Sequence, residues 1–321
     1  MPPPPLTRAT LAIAGILASL APSAIGAEAS NSAEPRVLFE RDGALWAAPA
    51  GGGGEDEKLA DLDRPVSGLE ALDARGDVVL GQGGDEVFLV DLGGDEPSRV
   101  RMLPCHPPAQ LSAGGEAVLC RREDAVLKVP SQGSLIRVLR RPGVSAAGFF
   151  GRDADRAVIA DDRAICAFSF SGGPTNCLAP HSPAPNDLHP APDGSRAAAT
   201  YEREGQPPTL YSFRLDGRGV RRGLLRAARA VAWSADSAWL AAQRGSRACL
   251  VRAVGGQYKC WRDFRALALS PDGQHIVLSK GEGSVDIYVA PLAGPRPVAP
   301  TRIARGANSA AAAWLPESHE E

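Results

Sequence analysis

The chain has 321 residues, with 35 Lys+Arg against 37 Asp+Glu and a formal charge of −2. That balance excludes the basic footprint of a nucleic-acid binder, so no nucleic-acid partner is expected. The 35 glycines and 28 prolines indicate many turns, and the length is ample for a substantial core.

The first segment reads as an address. One positive charge lies within residues 1–8, followed by ATLAIAGILASLA (9–21), a run of 13 apolar or small residues. A bilayer span needs about 20. Small residues follow at Ala24, Gly26 and Ala27. The pattern predicts a secretory signal peptide over 1–27, cut near Gly26 to Glu28, with an uncleaved anchor as the competing reading. No cysteine lies near the cut, so a lipid anchor there is not expected. No later apolar run approaches spanning length, and stable membrane insertion after cleavage is not expected. The expected order is a short linker at 28–35, one domain at 36–317 and a tail at 318–321. Arg outnumbers Lys by 31 to 4, which fits a GC-rich bacterial coding sequence. The expected location is therefore the periplasm or the exterior, where disulfides persist.

One repeat runs through the rest of the chain. Short turn-forming stretches begin at Leu72, Leu111, Phe150, Pro190, Trp233, Leu269 and Trp314. A short apolar strand follows each of the first six: DVVLG (77–81), EAVLC (116–120), DRAVIA (155–160), SRAAAT (195–200), AWLAA (238–242) and QHIVLS (274–279). A second strand follows each of these: EVFLVD (86–91), AVLKVP (125–130), AICAFSF (164–170), TLYSFRLD (209–216), RACLVRA (247–253) and VDIYVAP (285–291). A Gly-containing turn and a third short run come next, as in LIRVL (135–139). The apolar stretch before each anchor supplies the fourth strand. Four short strands per repeat of about 40 residues is the signature of a propeller blade. The absence of 3.6-residue apolar periodicity disfavours helical repeats.

The segments RVLFE (36–40), ALWAAP (44–49) and EKLA (57–60) form three strands of a blade lacking its first. Residues 309–314 form a first strand lacking the rest. Joining the two closes a ring and removes two sheet edges. The expectation is an all-β propeller of seven four-stranded blades; a mis-split repeat would make it six or eight.

The segments LSPDGQHIVLSKGEGSVDIYVAPLAG (269–294) and PAPDGSRAAATYEREGQPPTLYSFRLDG (190–217) resemble TolB-type propeller repeats. WSADSAWLAAQ (233–243) keeps the frame, with Asp236 in place and Ser237 for the glycine. The resemblance implies the propeller architecture over 36–317. TolB proteins carry an additional α/β domain ahead of their propeller; with a short linker at 28–35 expected before the first strand, this chain is expected to depart from them there.

Cys166 and Cys177 flank a central Gly-Gly in C-x5-G-G-x3-C, as do Cys249 and Cys260. Both spacings place the pair across a hairpin between the third and fourth strands of a blade, which predicts Cys166–Cys177 and Cys249–Cys260 disulfides. The remaining pair, Cys105–Cys120, would bridge the hairpin built on Gly114 and Gly115. Redox catalysis wants C-x-x-C and structural zinc wants closely spaced ligand pairs; neither pattern occurs.

Few motifs in the sequence carry chemistry. There is no G-x-S-x-G elbow, no H-E-x-x-H and no P-loop. The glycines at 51–54 run into Glu55, Asp56 and Glu57, which repel phosphate, and read as a hairpin turn. Of the five histidines, His106 follows Cys105, His181 lies in no metal spacing, and His319 falls in the tail. His275 alternates with Ile276 as an exposed strand residue should. His189, with Asp187, falls where an innermost strand ends near the central channel, which makes these two the candidate channel-mouth binding residues. Asp193, Asp236 and Asp272 read as turn residues bonding their own backbone two residues on. Trp233 and Trp314 occupy equivalent repeat positions and suit packing between blades. The innermost strands SAAGFF (145–150), AVAW (230–233), ALAL (266–269) and SAAAAW (309–314) are mostly small and apolar. No cofactor or metal set is indicated, and a catalytic ring is missing from at least four of the seven blades. The expected function is an exported, monomeric, non-enzymatic scaffold binding an envelope or secreted protein or peptide. The alternative is a propeller enzyme, or a small-ligand or carbohydrate binder, using the channel mouth.

Overall fold

In a computed structural model, residues 35–315 are described apart from 63, 65, 72–77, 93–98, 113–114, 152, 178–183, 217–221, 257 and 309–311. The expected signal peptide (1–27), most of the linker (28–34), the tail (318–321), His181 and His319 lie outside the described residues. Twenty-eight strands form seven four-stranded antiparallel sheets. The strands β1 (Arg36–Arg41), β2 (Ala44–Pro49) and β3 (Glu57–Asp61) are the outer three of blade 1. Blade 2 holds β4 (Gly68–Ala71), β5 (Val78–Gly83), β6 (Glu86–Asp91) and β7 (Arg99–Met102). Blade 3 holds β8 (His106–Leu111), β9 (Ala117–Arg122), β10 (Ala125–Pro130) and β11 (Arg137–Arg140). Blade 4 holds β12 (Ala146–Phe150), β13 (Asp153–Ala160), β14 (Ile165–Ser169) and β15 (Gly173–Cys177). Blade 5 holds β16 (Asp187–Pro190), β17 (Arg196–Arg203), β18 (Gln206–Arg214) and β19 (Arg222–Arg226). Blade 6 holds β20 (Arg229–Trp233), β21 (Trp239–Arg244), β22 (Arg247–Arg252) and β23 (Tyr258–Arg262). Blade 7 holds β24 (Arg265–Leu269), β25 (His275–Lys280), β26 (Ser284–Pro291) and β27 (Thr301–Asn308). The last strand, β28 (Ala312–Leu315), is the innermost strand of blade 1 and pairs with β1, Arg36 facing Leu315 and Leu38 facing Ala313. The ring is therefore seven-bladed and closed by the two ends of the domain.

The sequence forms blades because each sheet is covered on both faces. The second and third strands of a blade are continuous apolar runs such as Val37–Phe39, Leu240–Ala242 and Ile276–Leu278, all fully buried. Alternate residues serve opposite neighbours. Val37 and Phe39 join the cluster shared with blade 7, whereas Leu38 joins the one shared with blade 2. Seven such clusters occur, one at each blade–blade boundary. Towards the axis the blades converge, and there Ala197, Ala198, Ala199, Ala241 and Ala242 are wholly buried. Small side chains let the inner strands approach without voids or clashes.

The anchor turns are held by one recurring device. The buried Ser234 accepts from the Trp239 N–H at 2.9 Å, while its own N–H donates to the Trp239 carbonyl at 2.9 Å. Ser112 does the same with Ala117, and Ser270 with His275. The aspartates close the turn two residues on. Asp193 accepts from Ser195 N–H (2.9 Å), Asp236 from Ala238 N–H (3.0 Å) and Asp272 from Gln274 N–H (2.9 Å). The next residue must take positive φ, and Gly194 (70°) and Gly273 (68°) do so easily. Ser237 takes 58° despite its side chain, whose hydroxyl accepts from the Asp193 N–H of blade 5 at 3.0 Å. The departure from glycine thus yields a bond between neighbouring blades.

All three disulfides form as the hairpin register requires. Cys166 faces Cys177 and Cys249 faces Cys260 across the third and fourth strands, with Cα separations of 4.0 and 4.1 Å. Cys105, just before β8, bonds Cys120 on β9 at 5.9 Å. Replacing one pair by serines is expected to cost about 2–3 kcal/mol, read by urea denaturation. Cys177 is exposed, whereas Cys105, Cys120 and Cys249 are buried. Limited reduction should therefore open Cys166–Cys177 first, which timed alkylation and peptide mass mapping will show.

Candidate functional site: the central channel

The innermost strands of all seven blades line one cavity of about 540 Å³. The strand register defines a level within it. The inner-strand residues opposite one equivalent second-strand position are Ala313 (facing Leu38), Glu70 (Leu80), Gln110 (Leu119), Gly148 (Val158), His189 (Ala198), Ala232 (Ala241) and Ala268 (Val277). Four of the seven are glycine or alanine. The other three bring a carboxyl, an amide and an imidazole to the same height.

Asp187 and His189 alternate with the buried Leu188 and Pro190 on β16, so both face the cavity. Asp187 Oδ1 accepts from the Thr200 N–H at 2.8 Å, which fixes its carboxylate. The His189 carbonyl accepts from Trp233 Nε1 at 2.7 Å, tying blade 5 to blade 6. The structure thus brings the two expected residues to the channel and adds Glu70 and Gln110.

Glu70 keeps an opening to the cavity but is enclosed by protein at longer range. Burial pushes its carboxyl up to about 7, against a smaller opposite pull from the Leu111 backbone N–H. Gln110 Oε1 accepts from the Phe149 N–H of blade 4 at 2.8 Å. A Cβ on Gly148 would lie 2.7 Å from that oxygen and 2.4 Å from Pro190 Cδ, so blades 3, 4 and 5 close here only around glycine. Other glutamines serve the frame. Gln82 makes paired bonds to the Ala109 backbone (2.8 and 3.0 Å), and Gln243 Oε1 accepts from Ala266 N–H at 2.9 Å.

The two equivalent tryptophans pack between blades as expected. Trp314 is buried in the cluster between blades 1 and 7, and Trp233 packs at the boundary of blades 5 and 6. His275 departs from its expected exposure. It is half-buried and stacked on Trp314, with ring centroids 5.6 Å apart, because second strands have a neighbour on each face. His106 stays at the surface, with Nδ1 3.0 Å from the Asp85 carbonyl. Among the described residues, no three His, Cys, Asp or Glu side chains group to hold a metal. No helix of the described residues is long and apolar enough to cross a membrane.

No family model and no curated protein sequence matches the chain. Among solved structures it is similar to the hydrazine synthase of Kuenenia stuttgartiensis, with a TM-score of 0.54 and 14% identity over 70% of this chain and 76% of that one. It is also similar to a eukaryotic initiation factor, with a TM-score of 0.50 and 10% identity over 89% and 99%. At these identities the likeness is one of fold, and the class defined here is a seven-bladed β-propeller.

Proposed function

We propose that the protein is an exported, non-enzymatic propeller that binds an extended segment of an envelope or secreted protein along the outer edge of blade 3. The observation that carries this reading is the exposed apolar run at that edge. Leu135, Ile136 and Val138 are 76%, 38% and 55% exposed and nearly consecutive. β11 is the outer edge of its sheet, so its outward N–H and C=O groups lie open for a further strand. A groove of about 310 Å³ runs beside it, lined by Leu135, Pro130, Lys128 and Arg137. Exposed edges are normally blunted by charge, and here Arg137 and Arg140 interrupt the apolar residues. Two copies would oppose their arginines, which favours a different partner carrying acidic and apolar residues in alternation.

Export is supported by the apolar leader over 1–27 and by three disulfides, which are consistent with an oxidising location. The resemblance of the repeats at 190–217 and 269–294 to TolB-type repeats supports a place in a bacterial envelope.

The test is an affinity capture from native envelope extract with the oxidised 28–321 chain, compared with Val138→Asp and with His189→Ala. Val138→Asp should lower partner affinity at least tenfold, since it places a charge in the proposed interface, and His189→Ala should leave it unchanged. Equal capture by all three proteins, or no saturable partner, would overturn the edge reading.

A further inference from the structure

The channel level described above has a chemistry that the edge-binding role does not use. Glu70 and His189 stand at equal height on blades 2 and 5, separated by two blades one way and three the other. They therefore stand on opposite sides of the ring. Gln110 stands at the same height on blade 3, and Asp187 one strand pair away on the same face as His189. All four line the cavity.

These groups retain hydrogen-bonding capacity. Asp187 uses one carboxylate oxygen for Thr200. Gln110 Oε1 carries one donor, the Phe149 N–H, and an amide oxygen accepts two. The His189 ring has no hydrogen-bond partner among the described residues. The lining contains no Lys or Arg, so its formal charges are the two carboxyls, both acidic. The opposite wall is alanine and leucine, including Ala232, Leu267 and Ala268.

We infer that the central channel binds a small organic ammonium ion, with its charged end held at the Glu70 carboxyl and its hydrocarbon body against the alanine wall. An ammonium offers only donors, and the lining offers acceptor oxygens on Glu70, Gln110 and Asp187. The negative lining selects a cation, and the apolar wall selects one with a carbon body over a hydrated metal ion. The cavity volume suits a ligand no larger than an amino acid or dipeptide. The raised Glu70 carboxyl adds a condition: Glu70 contributes its charge only above about pH 7. The other titratable groups in the lining are Asp187 and His189 on β16. The inner strands beside Glu70, β8 and β28, place no titratable side chain in the lining.

The test is calorimetric titration of the oxidised protein with n-butylammonium chloride at constant ionic strength. The comparison probes are n-butanol, sodium butyrate and zinc chloride. The expected Kd is about 0.1–1 mM near pH 8, and at least tenfold weaker near pH 5.5. Glu70→Gln should weaken binding about tenfold and remove this pH dependence above pH 6, and Asp187→Asn should weaken it several-fold. Butylammonium should also release protons on binding near pH 7, seen as a buffer-dependent heat. Equal binding of butanol, tighter binding of butyrate, binding of zinc alone, no butylammonium binding, or an unaffected Glu70→Gln variant would each overturn the inference.

Discussion

Removing residues 309–321 is expected to abolish the cooperative unfolding transition. That deletion takes away β28, the innermost strand of blade 1. Four residue pairs with β1 are lost, and the whole inward edge of β1 opens. Trp314 and Ala313, 6% and 3% exposed, leave the two clusters that join blade 1 to blades 7 and 2. His275 loses its stacking partner. A buried Trp replaced by Ala alone costs about 3–5 kcal/mol, and total stability is about 5–15 kcal/mol. The strand as a whole should therefore exceed what the ring can lose. Calorimetry should show no two-state peak for the truncated chain, and a peak shifted down by several degrees for Trp314→Ala. A truncated protein that melts like the intact one would show that blade 1 is not closed by β28.

The second large effect concerns pH. The Glu70 carboxyl ionises near pH 7 in the folded protein and near pH 4.5 when unfolded. Between these values the folded state holds the extra proton, so stability falls as pH rises from about 4.5 to about 7 and levels off above. A shift of this size corresponds to a loss on the order of 3–4 kcal/mol. Glu70→Gln keeps the shape and removes the ionisation. It should flatten this part of the profile and be more stable than the native protein at about pH 8, while matching it at about pH 4. Urea midpoints at the two pH values decide the matter, and an unchanged slope in the variant would place the dependence on another group.

The ring was legible because its punctuation is local. Ser234, Asp236, Ser270 and Asp272 bond within their own turns, so their spacing appears in the sequence regardless of the tertiary arrangement. The cysteine pairing was legible for the same reason, since a hairpin register depends only on its turn. The missing strand of blade 1 showed because the repeat came up one short before residue 36 and one over after residue 308.

What the sequence left open depends on neighbours. Alternation marked His275 as exposed, but the period-2 rule presumes one open face, and the ring gives that strand none. Glu70 precedes the weakest anchor, where no Trp-Ser or Ser-Pro-Asp-Gly marks the turn. Aligning its strand with Ala232, Ala268 and Ala313 would have shown a carboxyl in a row of alanines. Leu135, Ile136 and Val138 read as an ordinary blade strand, yet the fourth strand has no partner outside it, so they remain exposed.

The most direct measurement of the proposed role is hydrogen exchange by mass spectrometry on the oxidised protein, free and bound to the partner isolated from envelope extract. New protection is expected only at residues 132–141, as outward amides of β11 gain a strand. Protection at the channel lining or on the anchor turns, with the blade 3 edge unchanged, would contradict the proposed role.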